Sequence, residues 1–275
     1  MNKKIGFILA LVLISLMMVG TASAGLFDFL GGNNANQTAN DNSTFIVGFD
    51  AEFPPYGYKD ANGSYVGFDL DLAKEVCERN NWTFKAQPID WDAKDAELDS
   101  GSIDCIWNGF TIDGRENDYT WSNPYFDNKQ IFVVKSDSGI NSIADLKGKT
   151  VETQKDSSAL AALQGDNKTV ADTFGTLTEV ADYNTAFMDL ESGACQAVAM
   201  DIGVAEYDIS QKNNTADFKI LNESITTEKY GIGFKKGNDA LKDTVQTTLD
   251  EMFKDGTVLE IAQKYGISED ALIQG

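Results

Sequence analysis

Short apolar runs alternate with helix-like segments along most of the chain, beginning at residue 45. Strand patterns occur over 45–49, 103–107, 130–135, 197–200 and 230–234. Helical spacing of apolar side chains predicts helices over 69–80, 93–100, 157–164, 184–192, 202–211 and 238–254. Repeated strand–helix units of this size predict an α/β protein, with two small, parallel-rich sheets rather than one eight-stranded barrel.

The first 24 residues have the pattern of an export signal. Lys3 and Lys4 precede an apolar run over 5–19, and the segment ends in Ala22-Ser23-Ala24. This pattern predicts a signal peptide cleaved after Ala24, and therefore a secreted, periplasmic or cell-surface protein. The alternative is an uncleaved anchor, because ~20 residues span a bilayer. The first cysteine is Cys77, so there is no lipobox at the predicted cleavage point.

Residues 25–44 are rich in glycine, asparagine and threonine, and we expect them to form a flexible leader. The chain also contains seven Asn-x-Ser/Thr sequons, which can accept glycans in an exported protein. They begin at Asn36, Asn42, Asn62, Asn81, Asn167, Asn213 and Asn222. Chance matches in an asparagine-rich sequence are the alternative interpretation.

Charge and composition exclude several classes of function. The chain has 22 basic and 43 acidic residues, a formal charge of −21 that repels nucleic acids. It has no histidine, which removes histidine-based triads and the commonest zinc ligand. Its three cysteines are too few for a disulfide framework, and we expect Cys105 and Cys195 to be buried. We therefore expect no catalytic residues, no metal, no cofactor and no nucleic-acid partner.

An ordered series of motifs identifies a family. It includes GFDAEFPPY over 48–56, VGFDLDLAKEV over 66–76, NGFTI over 108–112, WSNPY over 121–125, DLKGK over 145–149 and YGIGF over 230–234. Over about 45–266 the chain resembles the polar amino acid-binding proteins of ABC importers, called solute-binding proteins of family 3. The resemblance implies a two-lobed α/β fold of the periplasmic-binding-protein type (type II) with two hinge strands. Lobe 1 would be 45–132 plus 229–275 and lobe 2 would be 133–228, with hinges near 133–134 and 227–228.

The resemblance places Arg115 at the family's clamp for the ligand carboxylate. Arginine offers a rigid fork of donors that fits a carboxylate, and this chain has only two arginines among 22 basic residues. The loop before Arg115 is one residue shorter than the commonest family pattern, and a turn at Gly114 can absorb that difference. A solvated loop arginine beside Glu116 is the alternative.

Further site residues come from the resemblance. Asp201 matches the family's ammonium ligand, and Asp50 matches the residue at the side-chain end of the ligand. The other candidates are pocket walls, backbone approach points and hydroxyl donors: Phe53, Phe110, Asn108, Gly109, Thr111, Ser157 and Ser158. The two serines open a predicted helix, whose free N–H groups favour anions. Simple helix capping is the alternative for these serines and for Asp201.

The resemblance implies a function in transport. A free amino acid would be captured between two closing lobes by a monomer and delivered to an ABC permease with its ATPase. The residues only weakly favour a polar, uncharged ligand. Two alternatives are an exported lyase similar to cyclohexadienyl dehydratases, which would need carboxylates or lysine as acid and base, and a ligand-sensing partner of a receptor.

Overall fold

The computed structural model describes residues 43–274, so the predicted signal peptide and almost all of the leader lie outside the described residues. Twelve strands occur in this part of the chain. They are β1 (Thr44–Phe49), β2 (Glu52–Phe53), β3 (Gly57–Lys59), β4 (Tyr65–Val66), β5 (Thr83–Pro88), β6 (Cys105–Thr111), β7 (Thr120–Trp121), β8 (Phe126–Lys135), β9 (Thr150–Gln154), β10 (Thr176–Val180), β11 (Ala197–Asp201) and β12 (Phe218–Phe234).

Eight α-helices accompany these strands in residues 43–274. They are α1 (Phe68–Arg79), α2 (Lys94–Ser100), α3 (Ser158–Gln164), α4 (Lys168–Ala171), α5 (Tyr183–Ser192), α6 (Ile202–Ser210), α7 (Asp239–Asp255) and α8 (Thr257–Lys264). The predicted helices all occur, with ends that differ by a residue or two. The apolar face predicted for α1 is buried, as Leu72, Ala73, Val76 and Cys77 confirm.

The main sheet contains nine strands in the order β10-β9-β11-β8-β12-β6-β1-β5, with β7 paired to β12. The pairs at its two ends are parallel, whereas β8 and β12 form antiparallel pairs in the middle. The prediction of two separate sheets is therefore corrected. The 17-residue strand β12 pairs with both β8 and β6, and so joins what would otherwise be two sheets.

The main sheet continues in both directions from its central strands β8 and β12. We call the two parts of the protein beyond these strands the β1 side and the β9 side. The β1 side comprises β1, β5 and β6 with α1 and α2, and the β9 side comprises β9, β10 and β11 with α3, α5 and α6. A separate three-stranded sheet, β2-β3-β4, comes after β1 in the chain. Cys105 and Cys195 are buried, as predicted, and all three cysteines are free thiols. No helix within 43–274 is long and apolar enough to cross a membrane.

Five of the sequons lie in the described part of the chain. Asn62, Asn81, Asn213 and Asn222 are exposed, and Asn222 lies within β12. Asn167 is half-buried, and its side-chain amide donates to the carbonyl of Ile225 at 3.1 Å. Asn36 and Asn42 lie outside the described residues, and glycosylation at the sequons remains a prediction.

Candidate functional site

A small cavity lies between the β1 side and the β9 side. Eight of the ten predicted site residues line it, namely Phe53, Asn108, Gly109, Thr111, Arg115, Ser157, Ser158 and Asp201. Trp91, Gln154 and Tyr183 complete the lining. A larger open groove near Lys135 and Lys212 contains none of the predicted residues. The smaller cavity is therefore the candidate site.

Arg115 reaches this cavity from the loop after β6. Gly114 takes a left-handed backbone (φ 83°), and the Arg115 N–H donates to the carbonyl of Ile112 at 2.9 Å. The turn at Gly114 therefore compensates for the missing residue in this loop. The guanidinium carbon lies 5.3 Å from the centre of the Phe110 ring, and Nη1 approaches the Thr111 carbonyl at 3.4 Å. A guanidinium has five N–H donors, so several remain available for a carboxylate.

Gly109 occupies a position that only glycine fills without strain. Its φ is +55°, and a Cβ atom there would lie 2.7 Å from Cε1 of Phe53 and 3.1 Å from Cε2 of Tyr230. Its N–H donates to the buried carboxylate of Asp69 at 2.6 Å, so that donor is already used. The glycine therefore shapes the cavity and does not offer its N–H to a ligand.

The two serines at the start of α3 have different partners. Ser157 caps the helix, because its hydroxyl accepts from the Leu160 N–H at 3.1 Å. The capping interpretation is therefore confirmed for Ser157, which also lines the cavity. The Ser158 hydroxyl accepts from Gln130 Nε2 at 2.8 Å and donates to Glu228 Oε1 at 3.1 Å.

Asp201 ends β11 and points into a network of donors. Its Oδ1 accepts from Asn128 Nδ2 at 2.7 Å, from Gln130 Nε2 at 2.8 Å and from the Tyr230 hydroxyl at 2.5 Å. Asp201 occupies the N-cap position of α6, as the capping alternative predicted, but its side chain makes no capping hydrogen bond to that helix. The same two amides also donate to Oε1 of Glu228, at 2.9 and 2.8 Å.

Asp201 and Glu228 thus form a pair of neighbouring buried acids. Burial, and next the charge of Glu228, raise the pKa of Asp201 from 3.8 to about 7. Within residues 43–274 neither carboxylate forms an ion pair with a lysine or arginine. A cationic group of a ligand would relieve this unbalanced negative charge. The sequence analysis did not identify Glu228 as a site residue, because the family resemblance placed only a hinge near 227–228.

Asp50 lies behind the cavity lining, and Gln154 connects it to the cavity. Gln154 Nε2 donates to Asp50 Oδ2 at 2.6 Å and to the Ala181 carbonyl at 3.1 Å. Because both amide hydrogens are used in this way, the Gln154 Oε1 atom is left as an acceptor. Burial raises the pKa of Asp50 to about 6, although the hydrogen bonds from the Glu52 N–H and Gln154 oppose this shift.

The aromatic walls differ in part from the prediction. Phe53 lines the cavity as predicted, whereas Phe110 is buried in a core cluster with Leu98 and Ile106, so its placement on the wall is corrected. Phe110 lies on the same face of β6 as Ile106, four residues earlier, and both rest in that core cluster. Trp91 takes its place at the cavity, packed edge-on against the Phe110 ring at 5.5 Å.

Buried polar atoms at the cavity also mark the site. The hydroxyl of Tyr183 and Nδ2 of Asn108 are buried and have no hydrogen-bond partner within the described residues. Both side chains line the cavity. Buried polar groups are normally paired, so a polar ligand in the cavity would complete this site. No sequence signal singled out Tyr183, which stands at the start of a predicted helix.

Comparison with known proteins identifies the family. The model of the bacterial extracellular solute-binding proteins, family 3, matches residues 45–268. The chain belongs to this family. It is 29% identical over 232 residues to the L-cystine-binding protein TcyJ of Escherichia coli, covering 82% of this chain and 83% of that protein. It is 31% identical over 251 residues to a probable histidine-binding protein of Neisseria gonorrhoeae, covering 87% and 89%.

A solved structure extends this relationship to the fold. An ABC uptake transporter substrate-binding protein from Streptococcus pneumoniae, solved with bound histidine, superimposes with a TM-score of 0.80 at 33% identity. The match covers 84% of this chain and 95% of that chain. The fold is therefore the two-lobed, type II periplasmic-binding-protein fold, as the motifs predicted. This family-3 protein is similar to proteins named for amino acids with polar side chains.

Proposed function

We propose that this chain captures a free amino acid between two lobes outside the cytoplasm and delivers it to the permease of an ABC importer. The observation that carries the proposal is that Arg115, from the β1 side, and Asp201, from the β9 side, line the same cavity. A guanidinium and a carboxylate on opposite walls are complementary to the two ends of a zwitterion. The lobes would be 45–132 plus 229–275 and 133–228, with export directed by residues 1–24.

Each end of the ligand has matching groups. The ligand carboxylate would bind the free donors of Arg115, together with the hydroxyls of Ser157 and Tyr183. The ligand ammonium would lie against Asp201 and Glu228 and would supply a positive counter-charge for these two buried acids. Phe53 and Trp91 would pack against the apolar part of the ligand side chain.

The far end of the cavity favours a ligand side chain that donates hydrogen bonds. Gln154 lines the cavity, its Oε1 is left as an acceptor, and its Nε2 donates to the Asp50 carboxylate. An uncharged amide and a cation can both donate to such a group, and the named relatives include proteins for cystine and histidine. The preference for a polar, uncharged amino acid remains a prediction. Comparing glutamine with arginine and histidine tests it directly.

One observation keeps an enzymatic role as a second candidate. Asp201 has a pKa of about 7, the range in which a carboxyl can donate or accept a proton at neutral pH. An exported lyase of this fold would use such a group. Incubation of the purified protein with prephenate or arogenate, followed by product analysis, distinguishes the two functions, because a transport protein returns its ligand unchanged.

A thermal-shift screen of the twenty amino acids tests the proposed binding function. A ligand that binds only the folded protein raises Tm, and the stabilisation grows with the logarithm of the ligand concentration relative to Kd. For the best ligand, we expect Arg115→Lys to weaken affinity ~10- to 150-fold, because charge-assisted hydrogen bonds contribute ~1.5–3 kcal/mol and lysine offers no fork.

Arg79→Lys is the matched control for this substitution. Arg79 is the other arginine of the chain, and it pairs with Glu75 and Asp255, away from the cavity. It should leave the affinity unchanged. If no amino acid raises Tm, or if Arg115→Lys binds like the unsubstituted protein, the proposed function is wrong.

A further inference from the structure

Asp156 contacts two basic side chains of the β1 side through two different atoms. It lies on the β9 side, in the loop between β9 and α3. Its carboxylate pairs with Nζ of Lys94, and its backbone carbonyl accepts from Nη2 of Arg115 at 3.1 Å. A single residue therefore connects the β9 side to Arg115, the arginine proposed to bind the ligand carboxylate.

Lys94 needs this partner because it is buried. Its side chain is only 2% exposed, and Nζ lies 5.1 Å from the centre of the Trp91 ring. A buried ammonium without a counter-charge is costly. Among the described residues, Asp156 supplies the one carboxylate in ion-pair contact with Lys94.

The backbone of Asp156 also has an unusual conformation. Its φ is +56°, in the left-handed region that non-glycine residues rarely adopt. Such conformations persist where surrounding contacts hold them in place, and they are frequent at ligand-binding sites. Here the ion pair with Lys94 and the hydrogen bond from Arg115 are contacts of that kind.

We propose that Asp156 is a positioning residue that couples closure of the protein to the orientation of Arg115. When the two sides close on a ligand, the Asp156 carboxylate neutralises Lys94 and its carbonyl holds one edge of the guanidinium. The remaining N–H groups then face the ligand carboxylate. Contacts that exist only in the closed state favour closure, so they slow the release of the ligand. This inference rests on the proposed function.

A neighbouring ion pair provides a matched control. Lys155 pairs with Asp92 across the same two loops, one residue away from Asp156 in the chain. These side chains are 56% and 41% exposed, unlike that of Lys94. Exposed ion pairs contribute little, so this pair connects the same loops without a buried charge or a contact to Arg115.

The test is made on the purified protein with Asp156→Asn, Lys94→Met and the double variant that carries both substitutions. Asp92→Asn is the control. Affinities and release rates are measured for the twenty amino acids and for the decarboxylated amine of each amino acid that binds. Asp156→Asn and Lys94→Met should each raise the release rate about tenfold. The double variant should be no worse than the single variants, because both remove the same pair. Asp92→Asn should change the rate less than twofold.

A second readout separates positioning from a merely structural role. If Asp156 orients Arg115, Asp156→Asn should reduce the preference for an amino acid over its decarboxylated amine, since only the former has the carboxylate. A purely structural defect would weaken both ligands equally. Unchanged release and unchanged preference in Asp156→Asn would overturn this proposal alone. Absence of binding by the unsubstituted protein would overturn the proposed function, and this inference with it.

Discussion

Replacing Asp201 with asparagine should weaken ligand binding and, at neutral pH, stabilise the ligand-free protein. Asparagine has nearly the same shape and keeps an oxygen that can accept from Asn128, Gln130 and Tyr230, which now donate to Asp201 Oδ1. It lacks the charge that would bind an ammonium. Loss of one charge-assisted hydrogen bond costs ~1.5–3 kcal/mol, so affinity should fall ~10- to 150-fold.

The expected gain in stability comes from the raised pKa of Asp201. In the folded protein this pKa is about 7, against an ordinary value of 3.8. Each pKa unit is equivalent to ~1.4 kcal/mol, so the buried charge costs at most ~4 kcal/mol above pH 7. The new amide N–H₂ needs an acceptor, which offsets part of this gain. We expect a net gain of ~2 kcal/mol, or ~4–8 °C in Tm, at pH 8.

The pH dependence makes this reasoning testable. A raised acid pKa means that the wild-type protein loses stability as pH rises from about 4 to about 7. At pH 4 the carboxyl is protonated in the folded state and about half protonated in the unfolded state, so the advantage of Asp201→Asn should nearly vanish there. Thermal unfolding at pH 4, 6 and 8 measures this trend, and calorimetry measures affinity.

Asp137→Asn is the control, because Asp137 is an exposed acid on the turn after β8. It should alter neither stability nor affinity. If the difference in stability between Asp201→Asn and the unsubstituted protein is the same at pH 4 and at pH 8, then Asp201 carries no buried charge. If it binds the ligand normally, Asp201 does not bind the ammonium.

Two further predictions concern protonation and backbone shape. Ligand affinity should fall by up to about tenfold per pH unit below pH 7, because protonation of Asp201 removes the ammonium acceptor. Titration calorimetry between pH 5.5 and 8.5 measures this change in affinity. An affinity that does not change with pH would contradict the prediction. Gly109→Ala should destabilise the protein by ~1–3 kcal/mol and weaken binding, since its Cβ would meet Phe53 at 2.7 Å. Gly101→Ala is the control in denaturant unfolding, because it has a similar φ of +78° and no atom within 4 Å; equal losses would exclude the Phe53 contact as the cause.

Site residues were predictable where a motif places a charged side chain after a predicted strand. Arg115 and Asp201 carry such signals, because few residue types bind a carboxylate or an ammonium. Phe110 shows where this reasoning fails. Its neighbours in the motif line the cavity, whereas the Phe110 ring packs with Leu98 and Ile106, and the motif alone does not tell which face of β6 meets that core.

Sequence patterns alone predicted the α/β class, the main helices, the family and the candidate residues for the two ends of an amino acid. These come from local periodicity and from short motifs, which act over a few residues of chain. The tertiary structure alone decided that β12 joins both parts of one sheet and that Glu228 lies beside Asp201. It also decided that Asp156 reaches Lys94 and Arg115. Each of these contacts joins residues far apart in the chain, and local patterns do not encode which distant side chain meets a buried charge.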